Sequence, residues 1–171
     1  MVHTMFYRIE SGENGNDKTF IYVTPSVKTF HGFTAEDLLS NTQLFYNQIL
    51  PEDREKLLNE ETSSLKNMTS YSCDIRFCLP HQEIRWRNIV ASPRKGKDGK
   101  IIWDGVEIDI TDKVNNEQSF KKSEEKFRLL FEKSPDAITI STIDGEFIDC
   151  NITALNYYQI ESKSGFLKTH A

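Results

Sequence analysis

Three consecutive stretches in the middle of the chain leave little freedom in its fold. From Tyr71 to Leu79, the residues Tyr71, Cys73, Ile75, Phe77 and Leu79 alternate with Ser72, Asp74, Arg76 and Cys78. That alternation is the pattern of a strand with one face buried and the other solvated. Pro80-His81-Gln82-Glu83 supplies a turn, and Ile84 to Ser92 resumes with Ile84, Trp86, Asn88 and Val90 expected inward and Arg85, Arg87, Ile89 and Ala91 outward. Pro93 to Lys100, which holds Asp98-Gly99, turns the chain again into Ile101 to Ile110. Strands joined by connections this short pair antiparallel, and their apolar face needs a cover.

The residues before Tyr71 supply that cover and two more strands. His3 to Ile9 and Thr19 to Thr24 read as a hairpin at one edge of the sheet, separated by a loop rich in Gly, Asn and Asp. Ser26 is expected to cap a helical turn through Phe30, with Gly32 as the left-handed residue after it. Thr34-Ala35-Glu36-Asp37 has the form of a capping box. Pro51 suits a first helical turn, and Glu52 to Met68 is the longest helix of this part, with Leu57, Leu58, Leu65 and Met68 expected on its buried side. The class is α+β: a five-stranded antiparallel sheet with short helices on one face, followed by a long linker helix.

That linker follows Asp109-Ile110-Thr111-Asp112. Thr111 is expected to cap its first turn, and Asp112 suits the positive end of the helix dipole. No Gly or Pro occurs from Val106 to Ser134, and Pro135 ends the element. Phe120, Phe127 and Leu130 fit half of a heptad seam, with Asn116 and Ser123 at the intervening positions. The seam predicts a weak, adjustable pairing of two subunits through the linker helix. A solvated spacer is the plainer alternative.

The composition narrows the function. A net charge of −5 over 171 residues gives no electrostatic footprint for nucleic acid. No apolar run reaches the length of a membrane span and no secretory leader is visible, so a soluble, cytoplasmic segment is expected. Three cysteines make a poor disulfide framework, and no His/Cys cluster has metal-ligand spacing. No paired carboxylates, Ser/His/Asp set or phosphate-cradling glycine loop suggests catalysis within this segment.

The segments Tyr22-Val23-Thr24-Pro25-Ser26-Val27, Gly32-Phe33-Thr34-Ala35-Glu36-Asp37-Leu38-Leu39, Ile49-Leu50-Pro51-Glu52-Asp53-Arg54, Arg85-Trp86 and Asp109-Ile110-Thr111-Asp112-Lys113 together resemble a PAS domain, the sensory module of many signalling proteins. The family commonly has His-Pro-Asp-Asp where this chain has Leu50-Pro51-Glu52-Asp53, and a Gly-containing turn at Pro80-His81-Gln82-Glu83. Ser123 to Ile138 is similar to the segment joining tandem PAS domains in bacterial sensor proteins. Phe147-Ile148-Asp149-Cys150-Asn151 also repeats Phe20-Ile21-Tyr22-Val23-Thr24 at an offset of 127. The organisation expected is a PAS domain over 1–112, a signalling linker over 113–134, and the N-terminal part of a second PAS domain over 135–171. A hairpin with one helical turn is expected to need a neighbour to fold.

The resemblance implies a pocket between the short helices and the sheet, with Phe45, Tyr46, Cys73, Ile75, Trp86 and Asn88 as candidate lining residues and Val90, Ile102 and Val106 beside them. Asn88 draws notice because an amide on an apolar face needs a partner, either a ligand or a backbone group. Haem-binding members often take a His from the long helix, and Glu52 to Met68 contains none; the flavin photosensor motif Asn-Cys-Arg-Phe is absent too. A noncovalent flavin, a small organic acid or no ligand remain open, and no metal is expected. The function implied is detection of a small-molecule or redox signal, passed through Asp109, Ile110 and Thr111 to an output domain in cis, a two-component histidine kinase or a cyclic-di-GMP enzyme. A ligand-free dimerisation scaffold and a flavin redox domain are the competing readings.

Overall fold

The computed structural model describes residues 4–165, which divide between Val114 and Asn115 into two compact units. In the first, strands β1 (Thr4–Ser11) and β2 (Thr19–Val23) precede helices α1 (Val27–His31), α2 (Ala35–Ser40), α3 (Gln43–Gln48) and α4 (Pro51–Asn67). Strands β3 (Tyr71–Leu79), β4 (Glu83–Lys95) and β5 (Ile101–Asp109) follow. All pairings are antiparallel, and the sheet order is β2-β1-β5-β4-β3. One sheet face and the helices share one core: Met5, Tyr7 and Ile9 of β1, Cys73, Ile75 and Phe77 of β3, and Trp103 of β5 pack with Phe30, Leu38, Phe45, Ile49 and Leu57.

Local chemistry accounts for the short helices. α1 stops because Gly32 takes the left-handed conformation, φ 84°, and returns its N–H to the Lys28 carbonyl. Ahead of α2, Thr34 and Asp37 form a complete capping box. Ser26 departs from expectation: it has helical dihedrals and no capping bond, and its hydroxyl instead meets Thr24 Oγ1 at 2.8 Å.

Two burial patterns also depart from expectation, for one reason. The inward residues of β4 are Arg87, Ile89 and Ala91, whereas Ile84 is exposed and Trp86, Asn88 and Val90 are only partly covered. On α4 the buried side carries Asp53, Leu57, Glu61 and Ser64, while Leu58 and Met68 are exposed. In both elements a charged residue occupies an inward position because a partner meets it there. Asp53 takes a bidentate contact from Arg76 (2.8 Å from Nε and 2.7 Å from Nη2) and accepts the Arg76 backbone N–H at 2.7 Å, tying the start of α4 to β3.

Helix α5 (Thr111–Lys133) begins in the first unit, one residue after β5. The second unit contains the hairpin of β6 (Thr139–Ser141) and β7 (Phe147–Cys150), then α6 (Ile152–Tyr158). Its organiser is Asn151, fully buried, whose side chain donates to the Phe131 and Asp136 carbonyls and accepts from Ile138 N and Ala154 N, all at 2.9–3.0 Å. Every hydrogen-bonding position of that amide is used.

Candidate functional site

Of the six candidate lining residues, the structure brings Phe45, Cys73 and Ile75 together in the core of the first unit. Phe45 sits at the centre of an aromatic cluster with Phe20, Phe77 and His31, ring centroids 5.1–5.3 Å apart. Tyr46 packs edge-on against Phe45 at 5.4 Å and reaches the surface. Trp86 and Asn88 lie on the opposite sheet face, which corrects their inward placement. Asn88 donates to Ser72 Oγ at 2.9 Å and Asp74 Oδ1 at 2.6 Å, and Trp86 lies beneath the Arg76 guanidinium at 5.5 Å. Val90 and Val106 line a groove on the same outer face.

What occupies the inner face instead is a chain of ionisable groups that sequence reasoning missed. His31, the last residue of α1, is fully buried; its Nε2 lies 3.1 Å from Glu107 Oε2 and its Nδ1 lies 2.7 Å from Gln48 Oε1. Glu107 Oε1 is 3.2 Å from Arg87 Nε, and Arg87 Nη1 pairs with Asp109. The Arg87 guanidinium rests on the Phe30 ring at 4.5 Å, and its Nη2 donates to the Phe30 carbonyl at 3.3 Å. A histidine, an arginine and two carboxylates thus run from α1 across β4 to the end of β5. The signal available in the sequence was the period of two in Ile101, Trp103, Gly105 and Glu107, which puts Glu107 inward with the rest.

The predicted transfer residues sit where that chain ends. Asp109 accepts from the Thr111 backbone N–H at 2.9 Å. Burial pushes the Asp109 carboxyl up, but the bonds from Thr111 and Arg87 outweigh it and hold the group below the usual carboxylate range. Thr111 does not cap its own helix. Its Oγ1 accepts from Trp86 N at 3.0 Å and donates to Trp86 O at 3.3 Å, and Ile110 N donates to the same carbonyl at 3.1 Å. The first turn of α5 is therefore fastened to β4 near its start, at Trp86.

A second feature opens to solvent. Tyr46 lines a cleft of about 520 Å³ with the β1–β2 loop, α3 and α4, across which Lys18 pairs with Glu61. The Tyr46 hydroxyl is buried without a partner, and burial followed by the Glu61 charge pushes it well above the usual phenol range. Among the described residues no set of three His, Cys, Asp or Glu side chains is placed to hold a metal ion, and no helix is long and apolar enough to cross a membrane.

A five-stranded antiparallel sheet in this order, covered by short helices on one face and continued by a helix from its central strand, defines the fold. The family model described as PAS fold matches residues 20–106, and a second model, described as PAS domain, matches residues 125–168. The chain belongs to the PAS fold family. It is similar to the sensory box histidine kinase/response regulator of Burkholderia thailandensis, with TM-score 0.53 and 18% identity over 72% of this chain and 90% of that one. It is also similar to the N-terminal domain of a diguanylate cyclase with PAS/PAC sensor from Marinobacter aquaeolei, with TM-score 0.52 and 16% identity over 65% and 98%. No curated protein sequence matches the chain significantly.

Proposed function

We propose that the first unit is a sensory domain that passes the state of its interior through Asp109, Ile110 and Thr111 into α5, and so to an output domain of the same polypeptide. The observation that carries this reading is the buried chain His31–Glu107–Arg87–Asp109, because it joins the helical cover, where a signal enters, to the residue that holds Thr111. A change in the packing around His31 has to be absorbed by those pairs, and the last of them positions the helix start. A two-component histidine kinase is the output we favour, with a cyclic-di-GMP enzyme second; a relative of each kind shares the fold. The parts are a PAS domain over 1–112, a linker over 113–134 and the beginning of a second PAS domain over 135–171, supported by the family match there. We place the protein in the cytoplasm, with Cys73, Cys78 and Cys150 as free thiols. The signal we favour is a small organic molecule.

The test replaces Asp109 or Thr111 with Ala in the full-length protein and follows output activity with and without stimulus. The expected result is a folded protein whose output no longer responds; an unchanged response overturns the reading.

A scaffolding role is favoured by a different observation. The outer sheet face bears a groove of about 620 Å³ lined by Phe6, Tyr22, Val90 and Val106, with Phe6 and Tyr22 exposed, and Phe120, Phe127 and Leu130 are exposed along α5. We assign both to homodimer contacts. Light scattering of Leu130→Glu and Val106→Glu variants separates the two surfaces: the dimer is lost with whichever residue lies in the contact.

A further inference from the structure

We propose that the cleft between the β1–β2 loop, α3 and α4 is a site for an organic ammonium ion, and that Lys18 is its built-in competitor; this deepens the sensory reading and rests on it. The Lys18 ammonium lies 5.9 Å from the Tyr46 ring centroid and 5.7 Å from that of Trp103, within the roughly 6 Å over which a ring face attracts a cation. Glu61 supplies the countercharge, and both charged side chains are largely buried, at 15% and 11% exposure. Two aromatic faces and a carboxylate form a cage for one positive charge. That charge is delivered by the last residue of the β1–β2 loop, while the two rings and the carboxylate belong to the sheet or to the helices.

The charge arithmetic favours exchange with a like ion. A ligand carrying its own ammonium leaves Glu61 paired and the rings occupied while Lys18 moves out to water, so no buried charge is stranded. An anion entering the same space meets Glu61. Tyr46 supplies the second half of a site. Its hydroxyl is buried and unpartnered, so Tyr46 is available to a polar group on the ligand. Leu57 and Leu58 line the cleft for the ligand's carbon atoms, and Arg54, also in the lining, has its guanidinium held by the Ile49 and Asn47 carbonyls. The Tyr46 ring also touches Phe45, which touches His31, so occupancy reaches the buried ionic chain through two ring contacts.

Calorimetric titration of the full chain with choline, with ethanolamine as a primary-amine probe and acetate as an anionic one, tests this. Lys18→Ala is expected to bind choline at least tenfold more tightly than the parent, Lys18→Ala/Glu61→Gln to lose at least tenfold of that, and acetate to bind neither. If Lys18→Ala lacks a cooperative unfolding transition, Lys18→Met, which keeps the apolar stem, carries the same comparison. Equal choline affinity in parent and Lys18 variant, or binding that survives Glu61→Gln, overturns the proposal. Should choline fail while Asp109→Ala still uncouples output, this site falls and the sensory reading stands.

Discussion

His31 Nε2 and Glu107 Oε2 lie 3.1 Å apart in a fully buried setting, although 76 residues separate them in sequence. Gln48 Nε2 donates to the His31 carbonyl at 2.9 Å, which turns Gln48 Oε1 toward His31 Nδ1 and makes that nitrogen a donor. The Nε2–Oε2 contact then requires one further hydrogen shared between imidazole and carboxyl. Glu107→Ala removes the group that meets His31 Nε2 and one of the two carboxylates paired with Arg87. Breaking a buried pair from one side leaves charge uncompensated, and a loss of about 3–5 kcal/mol in urea denaturation is expected. A loss under about 1 kcal/mol would show that the ionic chain adds nothing net to stability.

Asp53 provides a pH test. The Arg76 side chain first, and the Arg76 backbone N–H after it, hold the Asp53 carboxyl below the usual carboxylate range against a desolvation that raises it. A depressed carboxyl contributes stability above its unfolded value, about 3.9, and loses it as pH falls through the folded value. The urea midpoint should therefore drop on going from pH 5 to pH 3. In Asp53→Asn that drop should be smaller, and the midpoint at pH 7 lower than in the parent.

Gly105 faces Tyr7 across the β1–β5 pair, and a Cβ placed there would lie 2.2 Å from Tyr7 Cζ. The ring has no room to yield, since it packs against Phe20 at 5.6 Å and Phe45 at 6.4 Å. Gly105→Ala should cost about 1–3 kcal/mol by overpacking, with most of it recovered in Gly105→Ala/Tyr7→Leu. Chemical denaturation of the two variants decides the point.

Thr111→Val keeps the shape of the side chain and removes both of its bonds to Trp86. Each net hydrogen bond contributes about 1 kcal/mol, so amide exchange at Trp86 and in the first turn of α5 should speed up by roughly tenfold. Global stability should change less than in Glu107→Ala. Unaltered exchange at Trp86 would place the fastening of α5 elsewhere.

The elements were legible where side-chain pattern alone decides them. β3 alternates without ambiguity, and its inward Cys73, Ile75 and Phe77 are buried as the pattern requires. The capping box at Thr34 and the stop at Gly32 follow from adjacent residues. The face of β4 was not legible, because Ile84, Trp86 and Val90 outweigh Ile89 and Ala91 in apolar bulk, and Arg87 reads as solvated until Glu107 and Asp109 are known to meet it. Glu61 on α4 was hidden in the same way by Lys18, and Asp53 by Arg76. Asp109 and Thr111 were recognisable by type from the resemblance, but no local rule points Thr111 to a backbone group 25 residues earlier.

The sheet order has a consequence for assembly. β5 is the last strand of the first unit in sequence and lies at the centre of its sheet, between β1 and β4. The β1–β2 and β3–β4 hairpins each close locally, yet neither bonds to the other except through β5. A nascent chain shorter than about residue 109 therefore holds two separate hairpins, and Arg87 without either carboxylate. Long-range pairings of this kind are slow to close, because the loop entropy is lost before the contacts form. Completion of the sheet thus waits for the strand that immediately precedes α5, so the first turn of that helix gains its anchor on β4 in the same event that completes the domain.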